Sequence, residues 1–406
     1  MVNIGIYLEP VGSGIGGSET VVAVLAEALA RNHQVDLLHH IPSLLAEHLA
    51  ETSGTDLKNV TLRYVERNRN LTQFSRRNPL QHYLASRRLH ATLSEPYDVF
   101  IAVVHGVPPF CHAASGALIV LFPIATAPYV NPQGGTLMKS ALRHPARWLY
   151  QNWEWKRRMA SYQLKTAISD FSRGWTLRRW RVNCRVVYPP VDTHFRDVEK
   201  ERIILSVGRF AIESEGHTKK QRETLAVFRQ MENDGLRGWK YFCVGGLRNT
   251  PEHHSYLDEL RSINAGSGTQ LIANIERDRL RSIYERARIF WHAAGYGEDE
   301  STRPIFVEHF GISTVEAMAA GCVPVVINKG GQREIVQHGV NGFVWDTLEE
   351  LKEYTGILIN DDKLRARMAE AARESSWLYS REMFVKNFLR LIGSLSSRSL
   401  AQSRRP

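Results

Sequence analysis

Glu308 and Glu316 stand eight residues apart in the stretch Glu-His-Phe-Gly-Ile-Ser-Thr-Val-Glu, and Ala-Met-Ala-Ala-Gly-Cys-Val-Pro-Val-Val follows directly. The stretch reads as a loop entering a helix, then a buried parallel strand. A helix N-terminus offers unpaired amides and a partial positive charge, which suit a phosphate. A carboxylate just before that terminus and one in its first turn can accept hydrogen bonds from sugar hydroxyls beside the phosphate. The layout points to a site for a sugar joined to a diphosphate. Ser313-x-x-Glu316 also fits a capping box, in which Glu316 merely satisfies a backbone donor, so the pair alone leaves both readings open.

Further groups with chemistry fall at strand ends. Arg209, in Ser206-Val-Gly-Arg-Phe, follows an apolar strand pattern, and Lys219-Lys220 comes ten residues later. Arginine offers a planar fork and lysine a point charge, so together they can neutralise a diphosphate without a metal. No Asp-x-Asp occurs, and Glu298-Asp-Glu300 reads as a solvated loop run. Gly16-Gly17-Ser18-Glu19 opens the first helix, where glycines let backbone approach a phosphate or sugar. Gly12, Gly14 and Gly17 also match a dinucleotide fingerprint, but Asp36 lies inside the second strand instead of at its end, a poor fit to that motif. Gly330-Gly331 carries a strand into another helix start near Arg333, as a plain turn or a ligand contact. His105 ends a strand, as a hydrogen-bond donor, a proton carrier or an ordinary strand-end residue.

These groups need elements to hold them. Asn3–Leu8, Val35–His39, Val60–Val65, Val99–Val104 and Leu118–Phe122 read as strands, with Thr20–Arg31 an amphipathic helix. Val186-Val-Tyr-Pro-Pro-Val-Asp192 reads as a hinge. The pattern then restarts with strands at Ile203–Val207, Lys240–Val244, Leu271–Ala273, Ile289–His292 and Val323–Ile327, and helices at Gln221–Met231, Asp278–Arg286 and Ser313–Ala320. Repeated β-α-β units imply an α/β fold of two doubly wound Rossmann-like domains, with ligands at the C-terminal strand ends and chemistry in a central cleft. The expected boundaries are 1–192, 193–376, a last helix at 377–395 and a disordered tail from 396.

The 406 residues carry a formal net charge of +10 and only four scattered cysteines. That spacing argues against a zinc site or a disulfide framework and for a reducing compartment. The start enters a strand at once, without the pattern of a signal peptide, and the apolar run 117–130 is broken by Pro123 and Pro128. A cytoplasmic chain is expected. Basic residues concentrate between Lys139 and Arg185, together with Trp148, Trp153, Trp155, Trp175 and Trp180. This composition suits peripheral contact with an anionic membrane, or a solvated face over core tryptophans. Nothing resembles a nucleic-acid-binding motif.

Taken together, Gly-Gly-Ser-Glu at 16–19, Tyr-Pro-Pro-Val-Asp at 188–192, Val-Gly-Arg-Phe at 207–210, the Glu308–Glu316 motif and Gly-Gly-x-x-Glu-Ile-Val at 330–336 resemble the family 4 glycosyltransferases, retaining enzymes of the GT-B fold. The resemblance covers nearly the whole chain. It implies that Glu308 binds hydroxyls of the donor sugar and Glu316 the nucleotide ribose. Amides of Gly311, Ile312, Ser313 and Thr314 would hold sugar and phosphate. Arg209 and Lys219, or Lys220 because the doublet is ambiguous, would stabilise the departing diphosphate, and Gly16-Gly17 would approach it from the first domain. Backbone near Asn274-Ile275 would meet the base, and the last helix would cross back to the first domain.

Two features depart from the family. The histidine that many members carry is absent where this chain reads Val120-Leu-Phe-Pro123, which leaves His105 only as a candidate substitute, and Tyr296–Val307 is longer than usual. The Glu-His-Phe-Gly-Ile form resembles the eukaryotic α-1,2-mannosyltransferases that extend lipid-linked oligosaccharides, which tilts the donor toward GDP-mannose over a UDP-sugar. The implied reaction is metal-independent transfer, with retention, to a hydroxyl of a glycan or lipid-linked acceptor. The alternatives are a sugar-nucleotide 2-epimerase of the same architecture and a non-catalytic nucleotide-sugar-binding protein; a dehydrogenase is the weakest.

Overall fold

A computed structural model describes residues 1–9, 16–41, 44–66, 79–128, 130, 145–212 and 218–402. Gly12, Gly14, Lys139 and Arg143, which figured in the sequence reading, lie outside the described residues. The chain divides into two compact units: Met1–Pro190 together with the segment from Arg381, and Val191–Ser380.

In the first unit the order is β1 (Asn3–Leu8), α1 (Gly17–Ala30), β2 (Gln34–His39), α2 (Ala46–Ser53), β3 (Val60–Tyr64), α3 (Pro79–Ser94), β4 (Val99–Val104), β5 (Ser115–Val120), α4 (Pro145–Ala160), β6 (Leu164–Ala167), α5 (Asp170–Trp180) and β7 (Arg185–Val186). The strands form one parallel sheet in the order β3-β2-β1-β4-β5-β6-β7. Every residue of β4, Val-Phe-Ile-Ala-Val-Val, is buried, as expected of a central strand covered on both faces. β5 starts and ends earlier than the apolar pattern 118–122 suggests, because Ser115 and Gly116 already pair with Val99 and Phe100.

The second unit runs β8 (Ile203–Val207), α6 (Gln221–Asn233), β9 (Lys240–Gly245), α7 (Pro251–Ile263), β10 (Thr269–Ala273), α8 (Arg277–Arg286), β11 (Ile289–His292), α9 (Ile312–Ala319), β12 (Val323–Ile327), α10 (Gln332–Ile335), β13 (Phe343–Trp345), α11 (Leu348–Asn360) and α12 (Asp362–Ser376). Its parallel sheet has the order β10-β9-β8-β11-β12-β13. In each sheet the direction of winding reverses beside the first strand, between β1 and β4 and between β8 and β11. Open α/β sheets bind ligands at the carboxyl ends of the strands at such points.

The last helix, α13 (Arg381–Gln402), belongs to the first unit. Phe384, Phe388, Leu391 and Ile392 form its apolar stripe and join the core of α1 and β1. Arg381 donates to the carbonyls of Ser53 and Gly54 at the end of α2. The helix continues past residue 395, so the expected disordered tail is corrected up to Gln402. The unit boundary also moves. Asp192 joins the second unit through Arg277 at 3.0 Å and Arg281, and Tyr379 stays there because its hydroxyl donates to the Glu334 carbonyl at 2.9 Å.

The Arg/Trp stretch divides by depth. Trp155, Trp175 and Trp180 are core residues. Arg158 is fully buried as well: it pairs with Glu154 and donates to the Pro108 carbonyl, and Arg179 donates to that of Pro123. Burial of these charges corrects a purely solvated face. All four cysteines are buried free thiols. No helix among the described residues is long and apolar enough to cross a membrane.

Candidate functional site

Glu308 lies in the loop between a 3-10 turn (Pro304–Phe306) and α9. Its Oε2 accepts from Lys219 Nζ at 2.6 Å and from His292 Nε2 at 3.2 Å. A carboxylate only accepts, so the His292 proton sits on Nε2. Burial pulls the His292 pKa below its ordinary value, against the opposing pull of Glu308, which keeps the ring neutral. His292 ends β11 and was not singled out in the sequence; its signal, a histidine at a strand's carboxyl end, was the one that nominated His105.

Lys219 and Lys220 diverge. Lys220 is the N-cap of α6 in the left-handed region, at φ 56°, so its side chain leaves Glu308 and comes within 3.8 Å of Glu298. Lys219 alone faces Glu308. Arg209 follows β8 with an exposed guanidinium that makes no hydrogen bond or ion pair among the described residues.

The loop before Glu308 is not a solvated run. Glu298 also pairs with Arg303 at 3.0 Å. Glu300 accepts from the Gly330 amide at 3.0 Å and from Arg333 at 2.6 Å, and Lys329 donates to the carbonyls of Gly295 and Glu298. This corrects the reading for Glu298 and Glu300, whose partners are Lys220 and Arg303, and Gly330 and Arg333, while Asp299 is exposed and bonds to Ser301 and Thr302. In that turn Gly331 donates to the Glu308 carbonyl at 2.9 Å. A Cβ on Gly330 would lie 2.1 Å from that same carbonyl oxygen, and one on Gly331 2.5 Å from Phe310 Cα. These glycines let two backbone segments touch, and so fix the loop carrying Glu308.

Gly311 is the N-cap of α9. The amides of Thr314 and Val315 both return to its carbonyl, at 3.1 and 3.2 Å. Those of Gly311, Ile312 and Ser313 have no acceptor among the described residues. Thr314 therefore leaves the expected set of anion-facing amides, and its hydroxyl donates to Gln332 at 2.9 Å. No capping box forms. Glu316 lies in the second turn, not the first, where it accepts from the Tyr284 hydroxyl at 3.0 Å. Burial raises its carboxyl to about 7, with Tyr284, Arg277 and Arg281 pulling downward.

Asn274, at φ 53°, closes its side chain on Leu247, accepting from its amide at 2.7 Å and donating to its carbonyl at 3.1 Å. This pins the turn after β9 to Asn274, whose own amide donates to the Gly245 carbonyl at 3.0 Å.

In the first unit Gly16 caps α1, and its amide donates to Glu19 at 2.9 Å instead of standing free; Gly17 is the first helical residue. His105 follows β4. Burial lowers its pKa to about 4, against a backbone hydrogen bond to Phe122, so it is a neutral ring and not a cation. Asp36 is consumed by Tyr97 at 2.9 Å and by Arg63.

Residues 15–195 match the family model described as Glycosyltransferase Family 4, and residues 193–375 match Glycosyl transferases group 1. The chain belongs to the family 4 glycosyltransferases. This family 4 chain is 29% identical over 231 residues to a "GDP-Man:Man(3)GlcNAc(2)-PP-Dol alpha-1,2-mannosyltransferase" of Dictyostelium discoideum, covering 53% of the chain and 43% of that protein. It is 28% identical over 260 residues to a human protein of the same name, covering 58% and 50%. The chain thus spans about half the length of these curated relatives. A solved glycosyltransferase from Rickettsia africae superposes with a TM-score of 0.66 at 15% identity, covering 96% of this chain and 97% of its own. The fold is GT-B.

Proposed function

We propose that the protein is a retaining, metal-independent glycosyltransferase that moves mannose from GDP-mannose to a hydroxyl of a lipid-linked glycan. The observation that carries the reading is the cluster of Lys219, Glu308 and His292 beside the open amides of Gly311, Ile312 and Ser313. The names of the relatives support the choice of donor and acceptor. Glu308 would take donor-sugar hydroxyls, and Lys219 with Arg209 would receive the leaving diphosphate as charge develops. Fixed cations and amides stabilise that charge without reorganising, so no metal is needed. The acceptor hydroxyl attacks the anomeric carbon on the face from which the diphosphate departs. Its proton passes to the leaving phosphate, with no enzyme nucleophile. Glu316 would take the ribose hydroxyls.

A thermal-shift panel of nucleoside diphosphates and their sugars, with and without EDTA, tests this. Stabilisation by guanosine ligands, unchanged by EDTA, is the expected result. Stabilisation by another base would overturn the donor, and no shift with any member would overturn the site. The panel also has a pH signature. Ribose hydroxyls donate best to an ionised Glu316, whose proton is held up to pH about 7. Binding should therefore release a proton, and affinity should rise between pH 6 and pH 8. A flat profile would remove Glu316 from the ribose site.

We also propose that the acceptor is met at an anionic membrane surface. Leu149, Trp153 and Arg157 lie at successive four-residue steps of α4 and are all exposed. Arg157 stacks 5.3 Å above the Trp153 ring, Tyr83 of α3 packs at 5.1 Å, and Leu84 beside it is exposed. Sedimentation with anionic vesicles should fall at high salt, and Arg157→Gln should weaken it about fivefold, for roughly 1 kcal/mol per basic residue. Equal sedimentation with neutral vesicles would refute the proposal.

A further inference from the structure

Glu9 follows the last residue of β1 and has no part in the chemistry above. It is only 8% exposed. Its Oε2 accepts from two successive amides beyond β4, His105 at 2.5 Å and Gly106 at 2.7 Å. Its own amide donates to the Val103 carbonyl at 3.0 Å. The residue therefore straddles the gap between β1 and β4, where the winding of the first sheet reverses and where such sheets take their ligands. The second oxygen, Oε1, has no donor among the described residues. Gly106 keeps room for it, since a Cβ there would come within 2.4 Å of Oε1. The neighbouring His105 ring is also unspent at Nδ1, which is buried without a partner.

We propose that Glu9 binds a sugar hydroxyl of the acceptor glycan through Oε1. This rests on the transferase reading above. The geometry selects the ligand: two amides hold Oε2, and Oε1, which has no donor among the described residues, is matched by a hydroxyl and not by a phosphate oxygen. Two amides hold Oε2 in place, so Oε1 is set before the ligand arrives, and the hydroxyl need not order a mobile side chain. Glu9 is thus a binding and positioning residue, and the proton of the reacting hydroxyl still leaves with the diphosphate.

A purely structural brace between β1 and β4 is the competing explanation, and Glu9→Gln separates the two. The amide oxygen of glutamine can still accept from His105 and Gly106, which keeps the brace. Its NH2 then stands in place of Oε1 and turns an acceptor into a donor.

The experiment is saturation-transfer NMR with a soluble mannose oligosaccharide on the full chain, wild type against Glu9→Gln. Melting temperature and guanosine diphosphate affinity are measured on the same samples. The expected result is glycan binding by the wild type that weakens about tenfold or more in the variant, the scale of a hydrogen bond to a charged group. Guanosine diphosphate affinity and melting should be unchanged. Three results would overturn the proposal: equal glycan binding by the two proteins, no glycan binding by the wild type, or a parallel loss of melting temperature and of both affinities. Consumption of GDP-mannose by the wild type is followed separately. Its absence would count against the transferase reading, whereas selective loss of glycan binding in the variant would still place a glycan at Glu9.

Discussion

Glu308→Gln is expected to lower kcat about 100- to 1000-fold, the scale of removing one preorganised electrostatic group from a transition state. The fold should survive. The glutamine oxygen can still accept from Lys219 and His292, which hold the carboxylate at 2.6 and 3.2 Å, and the backbone of the loop is fixed independently by Gly330 and Gly331. Initial rates at saturating donor, with nucleoside diphosphate affinity as a control, check this. Lys219→Met should lower kcat as well. Because the two side chains touch, the double variant should lose far less than the product of the single effects. A Glu308→Gln turnover within about twofold of wild type would end the assignment of this residue to the donor sugar.

Arg209→Ala is expected to reduce kcat/KM about 100-fold and leave the melting temperature alone. The reduction follows from losing one cation at the leaving diphosphate. The unchanged melting follows from the exposed guanidinium, which makes no hydrogen bond or ion pair among the described residues; truncation at such a surface position shifts stability by no more than about 0.5 kcal/mol. Arg209→Lys should recover only part of the rate, since an ammonium offers a point charge where the guanidinium offers a fork. Rates and melting curves of the three proteins decide it, and a lowered melting temperature with normal turnover would reverse the interpretation.

The sheets were legible because parallel strands buried on both faces read as apolar runs: Val99–Val104, Ile203–Val207 and Val323–Ile327 agree with the structure to the residue. Legibility faded where partners are chosen in three dimensions. No property of Lys219-Lys220 separates the two lysines until Lys220 turns left-handed at the start of α6 and sends its side chain elsewhere. Glu298 and Glu300 looked like a solvated run because their partners, Lys220, Arg303, Gly330 and Arg333, lie up to 78 positions away. His292 passed as a strand end because nothing in Ile-Phe-Trp-His reveals that Glu308 will face it. The helix from Arg381 runs past its expected end because Ser/Arg-rich composition does not show the continuity with its preceding turns.

The return of α13 to the first unit makes that unit discontinuous in sequence. During synthesis the second unit has all its strands once Ser380 has emerged, while the first still exposes the apolar surface of α1 that Phe384 and Phe388 will cover. Long-range closure of this kind is slow and leaves a chain open to association until it completes. The unit that is made first is therefore finished last, and loss of the segment from Arg381 onward damages a core that begins at β1.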